Sequence, residues 1–251
     1  MYNPPDSNHR PWPIPQQPWV MQQIWHDLMF AHWPVAIDQL RPLIPPALQI
    51  DTYEGQAWIG VIPFHMSGIR PRFLPALPWI SAFPELNVRT YVVANGKPGV
   101  WFFSLEAANP VAVALARRWY FLPYFRARML CREDSTGIAY TSLRIHRGAP
   151  SATFTGHYHP VSDIFRAEKG SLEYWLTERY CLYVADAQQR IYRGEIDHAA
   201  WPLQLAETTI QENTMTLPLG IHLPKVPPLL HFSCRQDVRV WPLVRMSQEV
   251  L

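Results

Sequence analysis

The sequence predicts a mainly β fold with a few short helices, and three observations carry that prediction. Aromatic residues are abundant, with 11 Trp, 11 Tyr and 11 Phe among 251 residues, and aromatic side chains favour the pleated surface of a strand. Proline outnumbers any one of these aromatic types, at 26 residues. It cuts a chain into short elements because it cannot donate to a β ladder or sit inside a helix. Finally, apolar segments of strand length recur between turn signals, without the βαβ rhythm or the glycine-rich phosphate loop of a nucleotide-binding fold.

Residues 1–19 hold six prolines and read as an extended or disordered arm, which Trp12 and Trp19 are placed to pin down; residues 20–251 read as one β domain. The period of 21–33 is ambiguous between helix and strand. Residues 35–44 read as a helical turn closed by Pro45-Pro46, 56–63 as a strand ended by Pro63, and 67–82 as a proline-punctuated loop. Glu85–Val93 is the clearest strand; Asn95-Gly96 makes a turn and Gly99–Leu105 returns as its hairpin partner. Asn109 and Pro110 are a good cap and first residue for a helix running to Trp119. Thereafter 126–132, 138–147 and 152–159 read as an antiparallel meander. A short helix follows over 171–179, capped by Ser171, and then strands over 181–184, 190–198, 203–210 and 230–241. The total is about nine or ten strands and two or three short helices.

Composition excludes several function classes. Net charge is +2, with no basic run or stripe of the kind that holds nucleic acid. No apolar run approaches the length of a membrane span, and the polar, proline-rich start lacks the apolar region of a signal peptide, so membrane partners are not expected. Cys131, Cys181 and Cys234 are odd in number and far apart, which fits a reducing cytoplasm and not a disulfide scaffold. His157 and His159 share a strand face, but no third histidine falls at a metal-site spacing, so no metal and no cofactor is expected.

Alternation in Glu85–Val92 puts Glu85, Asn87, Arg89 and Tyr91 on one face and Leu86, Val88, Thr90 and Val92 on the other. Two readings stay open. The polar face is either half-exposed, with Glu85 and Arg89 as a surface ion pair, or the wall of a pocket. Arg117 and Arg118 sit at a helix C-terminus, where cations are favoured on dipole grounds alone. Tyr120 to Tyr124 is too aromatic for an exposed loop and either enters the core or lines a cavity. His198 lies at a strand-to-turn transition and is a candidate acid or base, or else a packed histidine bonded to backbone.

The segments His32-Trp33-Pro34, Pro63-Phe64-His65-Met66, Glu85 to Val92, Gly99 to Leu105, Ala116 to Tyr124 and His198 to Leu203 together resemble the YqjF-like family of uncharacterised bacterial proteins over roughly residues 20–245. That family is similar in fold to acetoacetate decarboxylase. The resemblance therefore implies a curled antiparallel sheet, or barrel, around a central cavity, with the Glu85–Tyr91 face as cavity wall. It also implies that the element around 110–124 matches the one carrying the decarboxylase's reactive lysine. Here Tyr124 and Phe125 follow Pro123 where lysines would stand. A Schiff base needs an amine with a depressed pKa, and arginine cannot replace it.

Three functions follow as alternatives. One is a lysine-independent enzyme acting on a small anionic molecule, with catalytic Glu85, Arg89 and His198. In it Arg89 or Arg117 clamps a carboxylate, and Asn87, Tyr91, Tyr120 and Tyr124 contact the ligand. The second is a non-catalytic binder of the same ligand. The third is a structural or interaction protein whose cavity is filled by its own aromatics. Self-association is compatible with the low charge content in all three.

Overall fold

The computed structural model describes residues 9–246. Its strands are β1 (Met21–Val35), β2 (Gln49–Ile50), β3 (Ala57–Pro71), β4 (Phe83–Ala94), β5 (Lys97–Ala107), β6 (Tyr124–Asp134), β7 (Gly137–Arg144), β8 (Thr153–Pro160), β9 (Cys181–Ala185), β10 (Ile191–Asp197), β11 (Gln204–Asn213), β12 (Leu229–Val240) and β13 (Val244–Arg245). Three short helices accompany them: α1 (Ile37–Leu40), α2 (Pro110–Trp119) and α3 (Leu172–Thr177). The fold is mainly β, as predicted. The ambiguous segment at 21–33 is a strand of 15 residues. The two-residue strands β2 and β13 are too short to leave a periodic signal.

One sheet runs β5-β6-β7-β8-β11-β12-β1-β3-β4 and closes on itself where β4 pairs again with β5. This nine-stranded ring leaves no open edge along its circuit. A second closure uses the other half of two of its edges. β5 pairs in parallel with β6 through Leu105–Ala107 and with β9 through Val100–Trp101. β12 pairs with β11 through His231 and Phe232 and with β10 through Arg239 and Val240. Strands β1, β3 and β4 are therefore covered on both faces. Met29, Ala31, Ile59, Val61, Leu86 and Val88 join Tyr140, Phe154 and Tyr158 in one core. The alternate residues Phe30, Ile62 and Phe64 join Tyr124, Val113, Trp201 and Leu203 in a second.

Local chemistry explains the elements. Asn109 accepts from the amides of Val111 and Ala112 at the start of α2, and Ser171 accepts from Tyr174 at the start of α3, so both predicted caps form. Asn95 and Gly96 have φ of 50° and 69°, the left-handed pair that a tight hairpin requires. Pro63, expected to end a strand, instead lies inside β3. It pairs with Leu86 of β4 on one side. On the other side the β1–β3 register breaks between His26 and Ala31, so no ladder bond is lost where proline lacks its N–H. The loop predicted over 67–82 accordingly shortens, because β3 continues to Pro71.

Of the proline-rich arm, residues 1–8 lie outside the described residues. Beyond them Arg10 bonds Glu195 and Asp197, and Trp12 donates its indole N–H to Glu195 at 2.7 Å. Lys97, next to the Asn95-Gly96 turn, is drawn into the same group by an ion pair with Glu195 at 3.3 Å.

The parallel contact of β5 with β9 depends on Gly99. A Cβ there would stand 2.7 Å from Cys181 Sγ and 2.8 Å from the Cys181 carbonyl oxygen, and the latter is backbone that cannot move cheaply. We expect Gly99→Ala to lower stability by about 1–3 kcal/mol, the usual cost of overpacking. A urea unfolding midpoint within error of the parent would contradict this account.

Candidate functional site

The polar face of β4 is interior. Glu85, Asn87, Arg89 and Tyr91 are all buried, which overturns the reading of a half-exposed strand with a surface ion pair. Nor do the two side chains pair with each other. Residues four apart on a strand are separated by roughly 13 Å, so Glu85 and Arg89 occupy opposite ends of the row and have different partners.

At the Glu85 end, Tyr124 at the start of β6 donates its hydroxyl to Glu85 Oε2 at 2.6 Å. The backbone carbonyl of Glu85 accepts from Tyr140 at 2.6 Å. Burial pushes the Glu85 carboxyl up to about 8; the Tyr124 hydrogen bond opposes this and the nearby Glu106 charge adds to it. Burial, reinforced by Glu85, raises the Tyr124 phenol as well. Glu85 is thus a neutral acid at pH 7.

At the Arg89 end, the guanidinium lies over the rings of Phe30 and Tyr91 at 5.5 and 5.6 Å. Among the described residues its only hydrogen bonds are long ones, to Tyr91 Oη at 3.4 Å and the Leu176 carbonyl at 3.3 Å, and its Nε has no partner there. Four arginines are buried among the described residues: Arg10, Arg89, Arg144 and Arg179. Arg10 pairs with Glu195 and Asp197, Arg144 with Glu106, and Arg179 with Asp51. Arg89 alone of the four has no carboxylate among the described residues.

Other strands bring polar groups to the same place. Gly60 of β3 stands opposite both His32 of β1 and Arg89 of β4, so the three lie in one row on one face. A Cβ on Gly60 would come within 3.0 Å of the His32 ring; glycine opens the space that the ring fills. His32 Nε2 bonds Tyr91 Oη at 2.6 Å, while its Nδ1 has no partner. Burial, followed by the charge of Arg89, holds His32 well below its usual pKa, so it is neutral. Trp201 packs edge-on against Phe30 at 4.9 Å, and His231 of β12 faces Phe30 across the strand pair. Trp201 Nε1, both nitrogens of His231, Asn87 Oδ1 and Ser233 Oγ are likewise buried and unpartnered. Native proteins satisfy nearly all buried polar groups, so such a concentration on one face is a chemical feature of the fold.

The remaining predicted residues are more scattered. His198 is buried, stacks on Tyr180 at 4.6 Å and touches Trp201 at 5.1 Å. Its ring nitrogens face the carbonyls of Ala199 and Arg179 at 2.8 and 3.2 Å. Arg117 is exposed and donates to the Tyr124 carbonyl at 2.6 Å, which buttresses the Glu85 partner from outside. Tyr120 is half-buried beside it. His157 and His159 lie near the surface against Asp134 and Glu207, and no group of three or more metal-ligating side chains occurs among the described residues. Sequence reasoning gave no role to Phe30, Gly60, Trp201 or Ser233. The one local signal was Gly60, a glycine inside an otherwise apolar strand. An open groove of about 490 Å³ lies elsewhere, between Pro42, Ile44, Trp101, Phe103, Phe121 and Tyr183, and holds none of the predicted residues.

Comparison with known proteins agrees with this architecture. The model of the DUF2071 family of uncharacterized conserved proteins matches residues 22–237. The uncharacterized protein YqjF of Bacillus subtilis is 48% identical over 234 residues, covering 93% of this chain and 96% of that protein. Among solved structures, acetoacetate decarboxylase from Legionella pneumophila superposes with a TM-score of 0.63 at 12% identity, over 96% of this chain and 94% of that one. The enduracididine biosynthesis enzyme MppR complexed with pyruvate superposes with a TM-score of 0.61 at 10% identity, over 93% of each chain.

The neutral Glu85 has a measurable consequence. In the unfolded chain it ionises near 4.5, and in the folded protein near 8. Between those values the unfolded state has lost a proton that the folded state keeps, so stability falls as pH rises through this window, by about 1.4 kcal/mol per unit. Below 4.5 neither state is ionised and the penalty vanishes. Glu85→Gln, which keeps an acceptor for Tyr124, should flatten this slope and raise stability at pH 8 relative to the parent. Urea titrations at several pH values test this, and parallel curves for the two proteins would refute it.

Proposed function

The chain belongs to the DUF2071 family, and on the frame it shares with acetoacetate decarboxylase we propose that its buried polar face binds a small organic anion. One observation carries the reading: Arg89 is a buried guanidinium with no carboxylate among the described residues to neutralise it. A buried charge without a counter-ion costs several kcal/mol, and arginine does not relieve that cost by losing its proton. A ligand carboxylate beside Arg89 supplies the missing charge through a charge-assisted hydrogen bond to the free Nε. Asn87 Oδ1, His32 Nδ1, Trp201 Nε1 and the His231 nitrogens then offer one acceptor and several donors or acceptors for the rest of the molecule. The pyruvate complex of MppR supports a small carboxylate as the ligand class on this frame.

Catalysis is a second reading, favoured by Glu85. A carboxylic acid with a pKa near 8 is protonated at neutral pH and able to deliver that proton. It lies on the same strand face as Arg89 with Asn87 between them, so a ligand anchored at Arg89 extends toward it. In this reading Arg89 orients the substrate, Glu85 is the acid, and Tyr124 fixes the Glu85 carboxyl. Tyr91 positions the His32 ring through its hydroxyl while burial and the Arg89 charge keep that ring neutral, and His198 supports the wall at Trp201. Imine chemistry has no amine here: Lys97 is committed to Glu195, and Lys169 and Lys225 are exposed.

Thermal shift and calorimetry with a panel of small carboxylates test the binding. A binding carboxylate should raise the melting temperature of the parent and have no effect on Arg89→Met, with affinity reduced at least about tenfold. The unliganded variant should be as stable as the parent or more so, because an uncompensated buried charge has been removed. If no carboxylate shifts the parent, or if Arg89→Met binds as well as the parent, the proposal fails.

A further inference from the structure

The loop between β3 and β4 turns large apolar side chains into solvent. Phe73 and Trp79 are 89% and 90% exposed, and Leu74 and Leu77 between them are more than half exposed. Phe73 and Trp79 have φ of 68° and 71°, a backbone region that bulky residues avoid. The Asn109 side chain, besides capping α2, donates to the Trp79 carbonyl, so loop and helix form one surface. That helix is inverted in its packing. Val113 is buried and the small Ala112 and Ala116 are half-buried in the second core, while Val111, Leu115 and Trp119, spaced i, i+4, i+8, face outward. Large apolar side chains exposed together on two linked elements mark a contact with something outside the chain.

Charge narrows what that contact is. Residues 67–82 and 109–120 contain Arg70, Arg72, Arg117 and Arg118 and no aspartate or glutamate. Among the described residues these four arginines take no part in the ion pairs, which involve Arg10, Lys97, Arg144, Arg179, Arg190, Arg193, Arg235 and two histidines. Arg70 and Arg72, with Trp19, Phe73, Leu74 and Pro75, line an open concavity of about 410 Å³ at the base of the loop.

We propose that this surface is a peripheral docking site for an anionic lipid bilayer. Phe73, Leu74, Leu77 and Trp79 enter the boundary between headgroups and acyl chains, α2 lies against the interface, and the arginines meet lipid phosphates. Aromatic and leucine side chains beside arginines are the composition of interfacial segments, and anionic lipids attract such clusters. A second copy of the chain fits less well, because a symmetric interface sets each patch against itself, arginines facing arginines with no acid between them. A protruding tip with nearly full exposure also suits penetration of a soft interface better than docking on a flat protein face. Lying on a membrane needs no span, and no described helix is long and apolar enough to cross one.

Co-sedimentation of the full chain tests this, using vesicles of phosphatidylcholine alone or with phosphatidylglycerol. The parent should bind the anionic vesicles at least about tenfold more tightly, and added salt should weaken the binding. The double variant Phe73→Asn, Trp79→Asn keeps residues that tolerate positive φ and should lose about tenfold or more; Trp119→Gln should lose less. Circular dichroism establishes that each variant is folded. Absence of binding to anionic vesicles, or equal binding by parent and double variant, overturns the proposal. So does a concentration-dependent dimer that the double variant abolishes while vesicle binding is absent.

Discussion

Strand β4 is buried on both faces, and most of what distinguishes this protein depends on that constraint. A strand with one wet face can alternate apolar and polar residues at no cost. Here the polar residues of β4 have no water to face, so every charge and hydrogen bond on Glu85, Asn87, Arg89 and Tyr91 has to be settled inside the protein. The two ends settle it differently. At one end the carboxyl surrenders its charge and accepts from Tyr124. At the other the guanidinium cannot surrender its charge, and it rests on the π-faces of Phe30 and Tyr91. Cation–π contacts of this kind contribute about 1–2 kcal/mol when desolvated, well short of the cost of burying an ion. The imbalance is local, since Arg144 and Arg179, equally buried, each hold a carboxylate.

The polypeptide enters the interior at the start of β6 directly after Pro123 and delivers the phenol of Tyr124 to Glu85. A phenol raised by burial is a hydrogen-bond donor and a poor nucleophile. The position therefore acts on the protonation of its neighbour through a hydrogen bond. Arg117, outside the core, holds the Tyr124 carbonyl and so fixes where that phenol points.

The sequence made the hairpin of β4 and β5, the meander of β6 to β8 and both helix caps legible, because each is decided by neighbours in the chain: Asn95-Gly96, Asn109-Pro110, Ser171. Alternation also identified which residues of β4 share a face. It could not tell which face is wet, because that depends on β6, β9, the segment at 198–203 and their closure around the sheet. Resemblance to a family turned the face inward, and the burial of Glu85 and Arg89 agrees. The companions of Arg89 were hidden for the same reason. His32, Gly60, Trp201 and His231 are dispersed over 200 residues, and only register brings them together: His32 to Gly60, Gly60 to Arg89, Phe30 to His231. Pro63 misled because its effect on a strand depends on whether a partner is present at that rung.

The divided edge of β5 has a consequence for how the chain is made. Its pairing with β4 is local and can form as soon as the hairpin leaves the ribosome. The opposite edge needs two parallel partners, and parallel pairing requires a long crossover. β6 arrives soon after, but β9 begins only at Cys181. Until then the Val100–Trp101 half of the edge displays unpaired amides and carbonyls beside apolar side chains, the template that promotes strand-to-strand association. Such non-local pairings are slow because the loop must close before the contacts reward it. During synthesis this half of the edge stays open until Cys181 arrives at the space that Gly99 leaves for it, and a nascent chain stalled before that point carries an open seam.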